Sequence, residues 1–230
     1  MVDHSEQALK SGSDRMQEMG LAHVPICMDV LEPRSQQTLL EHLLEISASP
    51  TALINNVAAN PPMRHRDNHH QFAIDSSLMA DLQLSLEVAS RFGLFFGDYF
   101  AKSGAGVIVN VASDLALVGP DQRIYANPND PSDHPKKPVS YSVSKAGLLG
   151  LTRYLATYWA PVPVRCNALA PGSVLSSQDS VLVRNLEERI PLGRLASESE
   201  YQGAIVFLLS EASSYMTGSI LTIDGGRTSW

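Results

Sequence analysis

Apolar positions along the chain alternate between helical spacing and short continuous runs, with turn residues between the segments. Residues 6–19 carry helical spacing and stop at Gly20, after which residues 22–30 form a short apolar, strand-like run that closes on Asp29 and Val30. A second helix is predicted over 32–46, stopped by Pro50. Ala52-Leu53-Ile54-Asn55-Asn56 then reads as a compact strand running into a loop with Pro61 and Pro62. Over 75–102, Leu78, Leu82, Leu86, Ala89, Phe92, Phe96 and Phe100 fall at helical intervals, and the width of that stripe predicts burial on more than one side. The segment ends at Ser103-Gly104-Ala105-Gly106. Val107-Ile108-Val109-Asn110-Val111 follows, β-branched and almost uniformly apolar, as a central parallel strand covered on both faces requires. Helices over 140–159 and 198–210 flank strands over 164–169 and 219–223. Strands separated by helices of this length predict an α/β fold: a parallel sheet with right-handed crossovers.

One stretch breaks this rhythm. Gly119 to Val139 contains Pro120, Pro128, Pro131, Pro135 and Pro138, and predicts a long irregular insertion. Connections of this length usually carry function, and this one directly precedes the strongest chemical motif, so it is read as a substrate-side flap.

Composition narrows the picture. The 230 residues suit one α/β domain over 1–230, and a net charge of -7 with no basic face makes nucleic acid and anionic membrane poor partners. No apolar run approaches the roughly 20 residues needed to span a bilayer, and the polar start Met1-Val2-Asp3-His4 does not read as a signal peptide. Two cysteines, Cys27 and Cys166, make no disulfide framework and suit a reducing cytoplasm.

The chemistry gathers around Tyr141-Ser142-Val143-Ser144-Lys145, which places a phenol and an ammonium four residues apart on one helix face. A neighbouring positive charge favours phenolate and moves the group toward acid/base work. His65, Asp67, His69 and His70 lack a fixed helical face and are read as solvated loop residues; no metal is expected. Asp114 and Asp121-Gln122-Arg123-Ile124-Tyr125 are candidates to meet a polar substrate.

Five motifs then stand in order: Asn55-Asn56-Val57-Ala58, Val109-Asn110-Val111-Ala112-Ser113, Tyr141 with Lys145, Asn167-Ala168-Leu169-Ala170-Pro171-Gly172, and Thr217-Gly218 through Asp224-Gly225-Gly226. The series, from about Asp29 to Gly226, resembles the short-chain dehydrogenase/reductase family. The resemblance implies a doubly wound, Rossmann-like parallel sheet and hydride transfer between NAD or NADP and an alcohol or carbonyl. It makes Tyr141 the general acid/base, Lys145 its pKa-lowering partner and nicotinamide-ribose ligand, and Ser113 the hydrogen-bonding partner of the substrate oxygen. Asp29 and Val30 would meet the adenine, Asn55, Asn56, Val57 and Ala58 the cofactor ribose region, and Pro171, Gly172 and Val174 the nicotinamide. It also implies a homodimer or homotetramer, to which the stripe over 75–102 and the Tyr154, Tyr158 and Trp159 face would contribute. Ser113-Asp114, the 120–125 segment, the insertion and Arg153 to Tyr158 together resemble a subgroup associated with flagellin or surface-polysaccharide sugar modification, so the small-molecule substrate is expected to be a sugar or sugar derivative.

Two departures matter. Ser85, in Leu84-Ser85-Leu86, stands where the family carries an asparagine supporting a proton relay, and a hydroxyl reaches less far than an amide. The family's opening strand and its Thr-Gly-x-x-x-Gly-x-Gly turn, which cradles the pyrophosphate, are not found. Met1-Val2-Asp3 is read as the tail of the second strand. The expectation is a fold lacking its first strand and glycine-rich turn, which leaves open a catalytically inactive homologue acting as a binding or assembly subunit.

Overall fold

A computed structural model describes residues 1–61, 63, 78–126 and 135–230. The chain forms two compact units, Met1–Pro50 and Thr51–Trp230. Residues 65, 67, 69 and 70, and 127–134 of the insertion, lie outside the described residues.

In the first unit, β1 (Val2–Asp3) and β2 (Ile26–Cys27) pair in parallel, joined through α1 (Glu6–Glu18) and followed by α2 (Ser35–Glu45). Asp3 accepts from the Ser5 amide, and Ser5 in turn caps α1 by accepting from the Ala8 amide. The apolar run over 22–30 yields only two strand residues, because Pro25 has no N–H to give and β1 offers only two residues to pair with. Helix α2 starts later than its pattern predicts, after Pro33 and Arg34, the latter at φ 67°. Asp29 accepts from the Leu31 amide, and the Val30 carbonyl accepts from Ser35 Oγ, so both residues close the turn after β2.

The second unit is a four-stranded parallel sheet in the order β3 (Ala52–Asn55), β4 (Gly106–Val111), β5 (Val164–Pro171), β6 (Ile220–Ile223). Its register sets Asn55 beside Asn110, Val109 beside Asn167 and Pro171 beside Ile223, so the carboxyl ends of the strands lie level. That edge is where ligands sit in open α/β sheets.

Between β3 and β4, the predicted long helix is interrupted: α3 (Leu78–Leu82) leads through a π-helical turn, Gln83–Glu87, into α4 (Val88–Ser103). Phe92, Phe96 and Phe100 bury themselves as a file of rings with centroids 6.1 and 6.2 Å apart. Gly97 leaves room for the Trp159 indole, whose Nε1 donates to Asp98 at 2.8 Å; a Cβ at 97 would come within 2.1 Å of that ring. Of the apolar stripe, Ala89, Phe92, Phe96 and Phe100 are buried within the unit, as is Trp159. Only Tyr154 and Tyr158 of that face stay exposed, their rings 5.5 Å apart.

Helix α5 (Val139–Tyr158) packs Leu148 and Leu149 on Ala89, Ala112 and Ala168. The insertion is not structureless. Residues Gln122–Tyr125 form a 3-10 turn that buries Ile124 against Leu186, Ile190 and Leu195, the first of which belongs to α6 (Ser180–Glu187). That helix is not evident from the pattern, being only 8 residues long. A 3-10 turn, Glu198–Tyr201, precedes α7 (Gln202–Leu209). Among the described residues no strand is followed by a Thr-Gly-x-x-x-Gly-x-Gly turn, and no helix is long and apolar enough to cross a membrane.

Candidate active site

Strand β4 ends at Val111, and two residues later Ser113, in extended backbone, caps the 3-10 turn Asp114–Ala116 by accepting from the Leu115 amide at 3.2 Å. This places the serine at the carboxyl end of the sheet's interior strand. Tyr141, in the first turn of α5, lies close enough to Ser113 for the serine hydroxyl to act on its phenol. Burial holds the Tyr141 phenol above its ordinary value, against a downward pull from the Ser113 hydroxyl and with an upward push from Asp114.

Lys145, one helical turn on, is only 5 % exposed, and its Nζ donates to the Val111 carbonyl at 2.7 Å and stands 6.0 Å from the Tyr141 ring centroid. Burial pulls this ammonium down to about 8. In this arrangement the lysine does not lower the phenol, as the spacing alone suggests; burial of both groups dominates. A second lysine lies on the other side: Lys137 Nζ is 4.2 Å from the same ring centroid and donates to Asn60 Oδ1 at 2.7 Å.

The lysine shift has a thermodynamic sign. Above about pH 8 the native Lys145 releases a proton that the unfolded chain keeps up to the ordinary value of 10.5, so the unfolded state binds more protons and stability rises with pH. The buried Cys166 thiol, pushed up to about 12, acts in the opposite direction. The lysine's part is therefore read by difference: thermal melts between pH about 8 and 10 are expected to rise more steeply for wild type than for Lys145→Met.

The loop after β3 is held from two directions. Asn55 Nδ2 donates to Asn110 Oδ1 at 2.8 Å, and Asn110 Nδ2 donates to Thr152 Oγ1 at 2.9 Å and to Cys166 Sγ at 3.6 Å, a network across four elements. Ser85, fully buried on the π-helical turn, accepts from the Ala59 amide at 2.8 Å. Its hydroxyl thus anchors the loop carrying Asn56, Val57 and Ala58, of which Asn56 and Val57 are exposed and Ala58 half-buried.

On the other side of Ser113, Pro171 ends β5 and the Gly172 carbonyl accepts from the Tyr201 hydroxyl at 3.0 Å, while Val174 bridges to Ala196. A Cβ on Gly172 would stand 2.8 Å from Asp224 Cα, a backbone atom that cannot swing aside. Gly172→Ala is expected to destabilise the fold by about 1–3 kcal/mol, measured as a lowered denaturant midpoint. Asp29 and Val30 belong to the first unit, the other residues of this site to the second.

Sequence reasoning missed Arg227. It donates to the buried Asp114 carboxylate, whose other oxygen accepts from Ser113 Oγ at 2.9 Å. Arg227 also lines a cleft of about 440 Å³ with Val118, Asp121, Arg123, Arg189 and Trp230. There Asp121 is held well below the carboxylate range, first by Arg123 and then by Arg189 at 2.7 Å. Tyr125 is within electrostatic reach of Arg227, Asp114, Tyr141 and Asp121, which ties the cleft to the hydroxyl pair.

Residues 133–228 match the family model described as enoyl-(acyl carrier protein) reductase. An uncharacterised oxidoreductase of Thermotoga maritima is 30% identical over 236 residues, covering 98% of this chain and 85% of that protein. A short-chain dehydrogenase from Leptospira borgpetersenii, solved with bound NAD+, superposes with a TM-score of 0.74 at 28% identity, covering 89% of this chain and 75% of its own. The chain belongs to the short-chain dehydrogenase/reductase family. Ser113, Tyr141 and Lys145 are gathered at the carboxyl edge of a parallel, Rossmann-like sheet with flanking helices. A further short-chain dehydrogenase/reductase relative, the galactitol 2-dehydrogenase (L-tagatose-forming) of Cereibacter sphaeroides, is 37% identical over 141 residues, covering 59% of this chain and 50% of that protein.

Proposed function

We propose that this short-chain dehydrogenase/reductase interconverts an alcohol and a carbonyl with NAD or NADP, and that its substrate is a polyol or sugar. The observation that carries the reading is the gathering of Ser113, Tyr141 and the buried Lys145 amine at one edge of the sheet. A bound nicotinamide would give or take the hydride. Tyr141 would hold or release the proton of the reacting oxygen, and Ser113 would hydrogen-bond that oxygen.

The donor set suits the nicotinamide ribose. Lys145 has three N–H donors and spends one on Val111, so two remain for sugar hydroxyls. Asn55, Asn56, Val57 and Ala58, held through Asn110 and Ser85, would border the same ribose, and Pro171, Gly172 and Val174 the nicotinamide. For the pyrophosphate the described residues offer no Thr-Gly-x-x-x-Gly-x-Gly turn: β1 passes into α1 through His4 and Ser5. The second reading is a non-catalytic homologue serving as a binding or assembly subunit.

For the substrate, the 440 Å³ cleft pairs its two carboxylates, Asp121 and Glu188, with Arg123 and Arg189 and adds the exposed Trp230 indole. Paired donors and acceptors beside an aromatic ring suit a neutral polyhydroxylated molecule. The cereibacterial relative's name, a galactitol dehydrogenase, points the same way. The exposed Tyr154 and Tyr158 rings are proposed to serve a homodimer or homotetramer.

The test is calorimetry with NAD and NADP, followed by turnover on a panel of hexitols, pentitols and their ketoses, read from reduced-nicotinamide absorbance. Turnover of at least one polyol supports the reading. Absence of both dinucleotide binding and turnover rejects it in favour of the non-catalytic homologue.

A further inference from the structure

The residue after Ser113 is an aspartate at 3 % exposure, paired with an arginine at 8 % exposure. Withdrawing two such charges from water is expensive, and a buried pair holds only when further hydrogen bonds satisfy its remaining atoms. Here they do: Asp114 Oδ1 accepts from the Ser113 hydroxyl at 2.9 Å and from the Leu115 amide at 2.8 Å, while Oδ2 accepts from Arg227. The delivery of Arg227 is also built. After β6, Asp224 accepts from the Gly226 amide at 2.9 Å and the Thr228 amide at 2.8 Å, and Gly225 and Gly226 take φ 66° and 90°, a region open to glycine. The chain reverses, and Arg227 meets an aspartate 113 positions earlier.

We propose that Asp114, clamped by Arg227, is a positioning residue for the proton-transfer pair: in the empty site its carboxylate accepts the single Ser113 hydroxyl proton and holds the Ser113 oxygen beside Tyr141, and on substrate binding that hydroxyl turns to donate to the reacting oxygen. This rests on reading Ser113 and Tyr141 as the pair that meets the reacting oxygen. A serine hydroxyl rotates freely unless something holds its proton, and a carboxylate is the stronger acceptor available. The charges facing Tyr141 are Lys137 from the segment before α5, Lys145 from α5, and Asp114 from the turn after β4, with the Tyr125 phenol on the second 3-10 turn. Of these charges Asp114 is the one that pushes the phenol upward, so removing it lowers the pH at which Tyr141 ionises.

The experiment compares wild type, Asp114→Asn, and the double variant Asp114→Asn with Arg227→Gln, which removes both buried charges. Ultraviolet titration of each, minus the same protein carrying Tyr141→Phe, isolates the Tyr141 phenol without needing turnover. The midpoint is expected to fall in Asp114→Asn and to fall less in the double variant, with kcat down about tenfold in Asp114→Asn and the dinucleotide KM changed less than about twofold. An unmoved midpoint in folded Asp114→Asn overturns the proposal. So does failure of both variants to fold, which would make the pair a structural tie. If the midpoint moves while wild type turns over no alcohol, the positioning role stands and the enzymatic reading fails.

Discussion

Tyr141→Phe is expected to lower kcat by about 10²–10⁴-fold, the range that a positioned general acid/base contributes, with dinucleotide affinity unchanged. Phenylalanine keeps the ring that lies beneath the Lys137 amine at 4.2 Å and retains the buried apolar volume, so the helix start and the Lys145–Val111 bond are left alone. What is lost is one hydroxyl and its interaction with Ser113. The pH dependence supplies a second check. kcat/KM reports the free enzyme, and burial holds this phenol above its ordinary value of 10.0, so wild-type alcohol oxidation should climb through the alkaline range toward that ionisation. The residual activity of Tyr141→Phe should lack that climb. Steady-state kinetics across pH, with calorimetry for the dinucleotide, measures both; a variant retaining full kcat would remove Tyr141 from the proposed role.

The second large effect concerns stability. Asn110→Ala is expected to cost about 2–4 kcal/mol, from a small cavity and from buried partners left unsatisfied. Asn110 is fully buried, and its amide takes the Asn55 amide proton on one side and serves Thr152 and Cys166 on the other. Thr152 still donates to the Leu148 carbonyl at 2.7 Å, so the helix survives, whereas Asn55 keeps only a 3.4 Å contact to the Ala89 carbonyl. Urea unfolding should therefore show a lower midpoint, and calorimetry on the folded fraction a weakened dinucleotide affinity, because Asn55 begins the loop proposed to border the ribose. Asn55→Ala, at a half-buried site, should cost less. Equal stability of Asn110→Ala and wild type would show that the network carries no net stabilisation.

Much of this site is legible residue by residue. Tyr141 and Lys145 announce themselves by helical spacing, and Ser113 by standing just beyond a β-branched run that can only be an interior strand. Local rules suffice for these because each depends on neighbours within a few positions. The same rules mislead where burial intervenes. A phenol beside an ammonium predicts a lowered phenol, yet both groups are buried and desolvation works against either charge. The wide apolar stripe over 75–102 suggested surface left for a partner; its Phe92, Phe96 and Phe100 are buried within the unit, where Gly97 admits the Trp159 indole. Ile124, inside a proline-rich stretch, showed no periodicity to mark it as core; its burial comes from α6, 61 positions away at the Asn185 contact with its carbonyl.

The sequence by itself determined the alternation of strands and helices, the parallel sheet they imply, and the order in which Ser113, Tyr141 and Lys145 arrive at its carboxyl edge. Periodicity and chain order are local properties, and the physics that enforces them acts over one or two turns. Only the tertiary structure decided that the Ser113 proton is held by Asp114, that Arg227 closes behind it, and that the Ser85 hydroxyl is occupied by the Ala59 amide. Two of those pairings, Arg227 with Asp114 and Ala59 with Ser85, join residues far apart in the chain. They exist because strand register and close packing bring buried polar groups to one place, where each must find a partner or forfeit its hydration.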